Sequence, residues 1–380
     1  MFRSKTQWVI RSGMIGKLVP RLCDPNADVM YRALEATRNM LSVGGNSLCD
    51  AFMKADILTV LEKICVEFTT LDVLRKMCGK ETLPRLSLRA VLSVFGLLAE
   101  QNDVAVCRIT KCVATRKSIL ICIGARTDLP VVAELAAQLL HIISDNNPIF
   151  TQQIRTSDPK ELKALIQEKI KTDASAQTRG SAMRTRLHIA GMFFNTLQSN
   201  DMFRNVLLRL ILDCVQISPL SCLNAAIKTD ESGVLAAESS KRQELSEISR
   251  VQMTALEIFA NMFSDDDEVV IAPEIQYQLI DAVISLIRIL GAGKVWSSFP
   301  SQIFIELHSL RFRALTCLSN MIHRVRTGYL CKSESDVKHL FDYLFRLCVS
   351  CSEETSFASY VSSEQRGEAV TSELLWSLLR

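Results

Sequence analysis

Four asparagines, Asn39, Asn195, Asn261 and Asn320, sit inside otherwise apolar helical patterns. A side-chain amide both donates and accepts, so a row of amides can hold an extended peptide backbone. The same amide can instead bond a carbonyl of its own helix end or of the neighbouring helix. Each such bond contributes only about 1 kcal/mol net, so a binding row has to act through many weak contacts in register. The second concentration of polar chemistry is the run Asp265-Asp266-Asp267-Glu268. It reads either as a solvated loop or as a patch that attracts a basic partner. It lacks the glycine and the distal glutamate of a calcium loop.

Other chemistry is thin. His141, His188, His308, His323 and His339 each fall in helical pattern, and none has metal-ligand spacing, so core or surface roles are expected. Cys348 and Cys351 form a lone C-x-x-C with no second pair. Gly291-Ala292-Gly293-Lys294 lacks the earlier glycine of a phosphate loop and is followed by Val295, not Ser or Thr, so it reads as a linker. No G-x-S-x-G and no paired-carboxylate motif is present. The expectation is a protein that is not an enzyme, with no catalytic, cofactor or metal residues.

The asparagines belong to a recurring frame. A-L-x-x-x-x-N-M occurs as Ala33-Leu34 to Asn39-Met40, Ala255-Leu256 to Asn261-Met262 and Ala314-Leu315 to Asn320-Met321. A small residue allows close approach of a neighbouring helix, and Asn six positions on returns to the same side nearly two turns later. Looser copies place Ala90 with Gly96, Leu135 with His141, and Ile189 with Asn195. The six anchors stand 45 to 66 residues apart. Armadillo and HEAT repeats run about 40–47 residues, so several units must carry inserts. Ile57, Val60, Leu61 and Ile64 show the i, i+3, i+4, i+7 pattern of a partner helix. Asp24-Pro25-Asn26 reads as a turn and helix start with Asp24 able to cap, and Gly44-Gly45 as a helix exit. The fold class expected is all-α, a right-handed α-solenoid of about six irregular armadillo/HEAT-type units. Its expected organisation is a tail over 1–16, armadillo-like repeats over 17–227, a charged linker over 228–250 and HEAT-like repeats over 251–380.

Composition agrees with long helices: 380 residues, 48% hydrophobic, with only 14 Gly and 9 Pro. Net charge is +3, too near balance to make nucleic acid the default partner. The 13 cysteines are scattered through apolar pattern, which points to reduced, buried thiols in a cytoplasmic or nuclear protein. No secretory signal or membrane-length apolar run is visible, so no membrane partner is expected, and the chain reads as a monomer.

The run from Lys17 to Phe68 contains L-x-x-x-L-x-D-P, A-L-x-A-x-R-N, S-x-G-G-x-x-x-C-D and D-I-L-T-x-L. It resembles the first armadillo units of the HEAT repeat-containing protein 3 family, also called symportin. Asp145-Asn146-Asn147-Pro148, Thr254 to Met262 and Arg313-Ala314-Leu315-x-Cys317-Leu318 are similar to later stretches of that family in the same order. The resemblance implies a non-enzymatic adaptor and chaperone without cofactors. Such an adaptor holds newly made, basic large-subunit ribosomal proteins of the 5S particle and escorts them into the nucleus with an import receptor. Family members open on a compact basic import signal, carry a long acidic loop and continue past residue 380. Met1 to Gly16 holds only scattered basic residues, and Lys228 to Arg250 is mixed in charge, so the chain reads as a shortened version. Two other readings stand beside it: a generic armadillo-type interaction scaffold in cytoskeletal or signalling complexes, and a regulatory subunit of an enzyme.

Overall fold

Residues with strong helix propensity and apolar stripes at helical spacing dominate this chain, and the computed structural model is helical throughout its described part. That part comprises residues 2–78, 81–157, 159–168, 170, 174–197, 201–219, 235–262, 273–291 and 301–324. No strand occurs among the described residues. In chain order the α-helices are α1 (Phe2–Arg11), α2 (Met14–Leu18), α3 (Ala27–Lys54), α4 (Ile57–Phe68), α5 (Leu71–Met77), α6 (Leu83–Gln101), α7 (Asp103–Lys111) and α8 (Val113–Gly124). They continue as α9 (Pro130–Ser144), α10 (Pro148–Ser157), α11 (Lys160–Gln167), α12 (Ala176–Thr196), α13 (Asp201–Val215), α14 (Leu235–Asn261), α15 (Pro273–Gly291) and α16 (Ser301–Arg324). A 3-10 turn over Val19–Cys23 precedes α3.

The chain forms two compact units by internal contact. The first comprises Met1–Ala174 with Ser181–Phe203, and the second Ser175–Gly180 with Arg204–Arg380. In the first unit α3 packs on α6 and α6 on α9, while α4 packs on α6 and α8. In the second, α14 and α15 both pack on α16. The anchors expected to allow close approach are buried: Ala33, Ala90, Ile189, Ala255 and Ala314 are each 0–5% exposed. Leu135 differs. It is half-buried, and Ala133, Ala136 and Ala137 fill the packed side of α9 instead, because a leucine is too bulky for that contact.

Several local expectations take a different form. The cap of α3 is Asn26, whose Oδ1 accepts from the Asp28 and Val29 N–H groups at 3.0 and 3.5 Å. Asp24 instead accepts from the Asn26 N–H and receives Arg21, which hold its carboxyl below the usual range. Residues expected as a tail form α1 and α2, with α1 set against α3 through its apolar side, where Val9 is half-buried. Residues 235–250, expected within a charged linker, continue unbroken into the Ala255 frame as α14. The stretch is rich in helix formers and carries a Lys241–Glu244 pair at 2.8 Å.

The expected exit at Gly44-Gly45 is real but brief. Gly45 takes φ 58° and ψ −162°, so the helix breaks there and resumes over the next residues. That conformation is essentially closed to any residue with a Cβ. Gly45→Ala should therefore lower stability by about 1–3 kcal/mol, read as a reduced denaturation midpoint with the slope unchanged. A midpoint equal to wild type would show that the break carries no strain for alanine.

Candidate functional site

The sequence-singled asparagines divide by what their amides touch. Asn195 on α12 donates to Ser144 Oγ of α9 at 3.0 Å. Asn320 on α16 donates to the Ala260 carbonyl of α14 at 3.4 Å. Both are half-buried, and each bond joins its helix to an earlier helix of the recurring frame. Gln101 does the same from α6, reaching the Leu41 carbonyl of α3 at 3.5 Å. Asn261 is exposed at the end of α14 and bonded within the chain. Asn39 is exposed on α3, and its amide makes no bond within the chain. Asp265, Asp266, Asp267 and Glu268 lie outside the described residues, as do His339, Cys348 and Cys351.

Asn39 opens onto a groove of about 390 Å³ that crosses α3, α6 and α9. Leu97 and Leu135, both half-buried, line it together with Gly96 and Gln138. Like Asn39, Gln138 keeps its amide unbonded within the chain. The hydroxyls of Ser42 and Ser93 also line the groove, but each donates to a carbonyl of its own helix, Asn39 and Arg89 respectively. Arg38 and Glu100 put one cation and one anion at the rim, and Arg38 is paired with Glu35 at 2.8 Å. The lining therefore mixes polar and apolar groups, with Arg38 already paired and Glu100 its one carboxylate.

Between α9 and α12 lies a polar cluster that periodicity alone did not reveal. Arg184 grips Glu134 through two bonds, 2.7 and 3.0 Å, with both side chains buried. One turn beyond Arg184, His188 meets His141, their Nδ1 atoms 3.3 Å apart. A Cβ at Gly191 would stand 2.6 Å from His141 Nε2, so the glycine makes room for the ring. The signal available in sequence was spacing: Glu134–Arg184, His141–His188 and Ser144–Asn195 stand 50, 47 and 51 residues apart, one repeat each.

Two imidazoles with facing Nδ1 atoms bond only if one donates and the other accepts, which requires at least one neutral ring. Burial holds His141 down to about 4. His188 is also depressed, by burial first and then by the charges of His141 and Arg184. Because the folded state disfavours both protons, the unfolded chain takes them up first as pH falls. The stabilisation is complete above about pH 6.5 and falls as pH drops below it, for His141 until about pH 4, by at most about 1.4 kcal/mol per pH unit for each ring. Denaturation midpoints measured across that window should fall steeply for wild type and less steeply for His188→Gln. Parallel curves would remove the pair as the cause.

Cys49, Cys65, Cys122, Cys214 and Cys317 are buried and form no disulfide. Burial pushes Cys49 up to about 11 and Cys65 up to about 12, and raises Cys122 and Cys317 as well, so these are thiols and not nucleophiles. Among the described residues no group of three or more His, Cys, Asp or Glu could hold a metal ion, and no helix is long and apolar enough to cross a membrane.

No family model matches the chain, and no curated protein does. The chain is similar to two engineered proteins of known crystal structure. One shares 16% identity at TM-score 0.37, over 80% of this chain and 97% of its own. The other shares 16% at TM-score 0.40, over 81% and 98%. Neither bears on what the groove holds.

The asparagine bonds make a direct test of role. Asn195→Ala should cost about 1 kcal/mol of stability, because a half-buried bond between helices is lost. Asn39→Ala should leave the denaturation midpoint unchanged. Equal losses would place Asn39 in the same packing role as Asn195.

Proposed function

We propose that this chain is an armadillo/HEAT-type α-solenoid of about six irregular units that acts as a non-enzymatic adaptor. On this reading it holds newly made, basic large-subunit ribosomal proteins of the 5S particle and assists their passage from cytoplasm to nucleus with an import receptor. The observation that carries the reading is the groove across α3, α6 and α9, whose lining includes the unbonded amides of Asn39 and Gln138 beside Leu97 and Leu135. Amides that both donate and accept suit an extended main chain, which is how a repeat surface holds a client that has not yet folded. The identity of the client rests on the resemblance of Lys17 to Phe68 and of the Thr254 to Met262 stretch to the symportin family.

Charge sharpens the reading. Arg38 is paired with Glu35, and Glu100 is the one carboxylate in the lining, so this groove has no acidic cluster by which to select a client for positive charge. Binding of the purified 5S-particle ribosomal proteins should therefore survive physiological salt, whereas an equally basic histone should bind weakly and lose what binding it has as salt rises. Titration of both across a salt series checks this. Indifference to the ribosomal proteins, or equal affinity for the histone, would sink the client assignment and leave the generic interaction scaffold.

A further inference from the structure

The charge of this chain is close to balance only as a whole. Of its 44 lysines and arginines, Arg3, Lys5, Arg11, Lys17 and Arg21 fall within residues 1–23, where none of its 41 aspartates and glutamates occurs. That segment carries +5 and the remainder −2. It is not a loose tail, because α1 and α2 pack on each other and on α3. On α1 Thr6 and Val9 are half-buried, while Trp8 and Arg11, neighbours on the helix surface at i and i+3, are exposed. Gly13, at φ 68°, turns the chain into α2, where Lys17 is exposed. Trp8 is 62% exposed, and it is the only exposed Phe, Tyr or Trp among the described side chains. The Trp8 indole N–H, Arg11 and Lys17 have no partner among the described residues. By contrast, Arg21 is held by Asp24, and Arg38, Arg89, Arg108 and Arg126 are each met by a carboxylate.

We propose that α1 and α2 form a binding surface for single-stranded RNA, on which Trp8 stacks against an unpaired base while Arg11 and Lys17 hold neighbouring phosphates. This goes beyond the adaptor reading and does not rest on it. Unpaired cations beside an exposed ring match a strand in which phosphates alternate with aromatic faces, and stacking accepts any base. A segment without a single carboxylate also repels no part of a polyanion. In a duplex the bases stack on one another and leave the ring nothing to cover. RNA loops and ends present unstacked bases, whereas cellular DNA is chiefly duplex. An anionic lipid surface wants a broad apolar face to bury, and α1 spends its apolar side on α3.

Fluorescence anisotropy of a labelled single-stranded RNA of mixed sequence, titrated with the full chain, tests this. Wild type should bind that strand at least about tenfold tighter than the same RNA annealed to its complement. Trp8→Ala should weaken binding about fivefold or more, and Trp8→Phe should keep most of it. Neither should change the melting temperature, because the ring is exposed. Arg11→Ala and Lys17→Ala should each lower the slope of log affinity against log salt by about 0.7. Tryptophan emission should be quenched when RNA binds wild type, and the quenching should vanish in Trp8→Phe, which retains Trp296 and Trp376. Equal affinity for the duplex, indifference to Trp8→Ala, or no binding would each overturn the proposal. So would tighter binding of the DNA strand of the same sequence, or of vesicles containing phosphatidylserine in place of RNA, which would assign the surface to DNA or to lipid. No ribosomal protein enters this titration, so its result and that of the client titration stand apart.

Discussion

The close approach of long helices at small buried residues is the constraint on which the rest of this structure depends. Ala33, Ala90, Ala255 and Ala314 each let a neighbouring backbone come near enough for leucines and phenylalanines on both sides to interlock, Phe52, Phe95 and Phe259 among them, all with no exposed surface. A larger residue at any of these alanines would hold the pair apart and open voids on both flanks at once. Where α9 carries Leu135 at the equivalent place, the contact passes to neighbouring alanines and the leucine is turned into the groove. The groove is therefore a product of the packing rule and of one departure from it.

Polar bonds then set which helix meets which, and at what height. The amides of Gln101, Asn195 and Asn320 each reach back to an earlier helix of the recurring frame. The Glu134–Arg184 pair performs a similar task in the interior. Two charges out of water are a poor source of net stability, but removing either one leaves the other buried and unpaired, at a cost of about 3–5 kcal/mol. Such a pair discriminates strongly against a slipped register. The neighbouring histidines work in the same sense only while one ring can accept, which ties the junction between α9 and α12 to pH.

Much of this was legible in the residues. The A-L-x-x-x-x-N-M frame marked helices that do bury the alanine, and Asp145-Asn146-Asn147-Pro148 marked a true break, with Asn146 at φ 44° and the Asn147 amide bonded to Thr110 and the Ile143 carbonyl. Periodicity could not tell Asn39 from Asn195, because the two share a place in the frame and differ only in whether a partner hydroxyl stands opposite. Nor could it pair His141 with His188, since contact between residues 47 apart depends on the length of the intervening helices. The charged composition of residues 235–250 suggested a linker, yet charges spaced three and four apart support a helix as readily as a loop. The break at Gly45 was expected as an end, and its brevity was not, because one residue with positive φ is enough to interrupt a helix without stopping it.

Gln101 and Asn320 each reach back 60 residues, and Asn195 51, to join helices of the frame. The entropy of closing a loop rises only slowly with its length, so bonds of similar span carry similar closure costs, and none has to wait for a distant segment. Contacts of such limited sequence separation form early relative to distant ones. During synthesis α3 can dock on α6 as soon as both have left the ribosome, long before α16 exists, and each later helix finds a finished surface to land on.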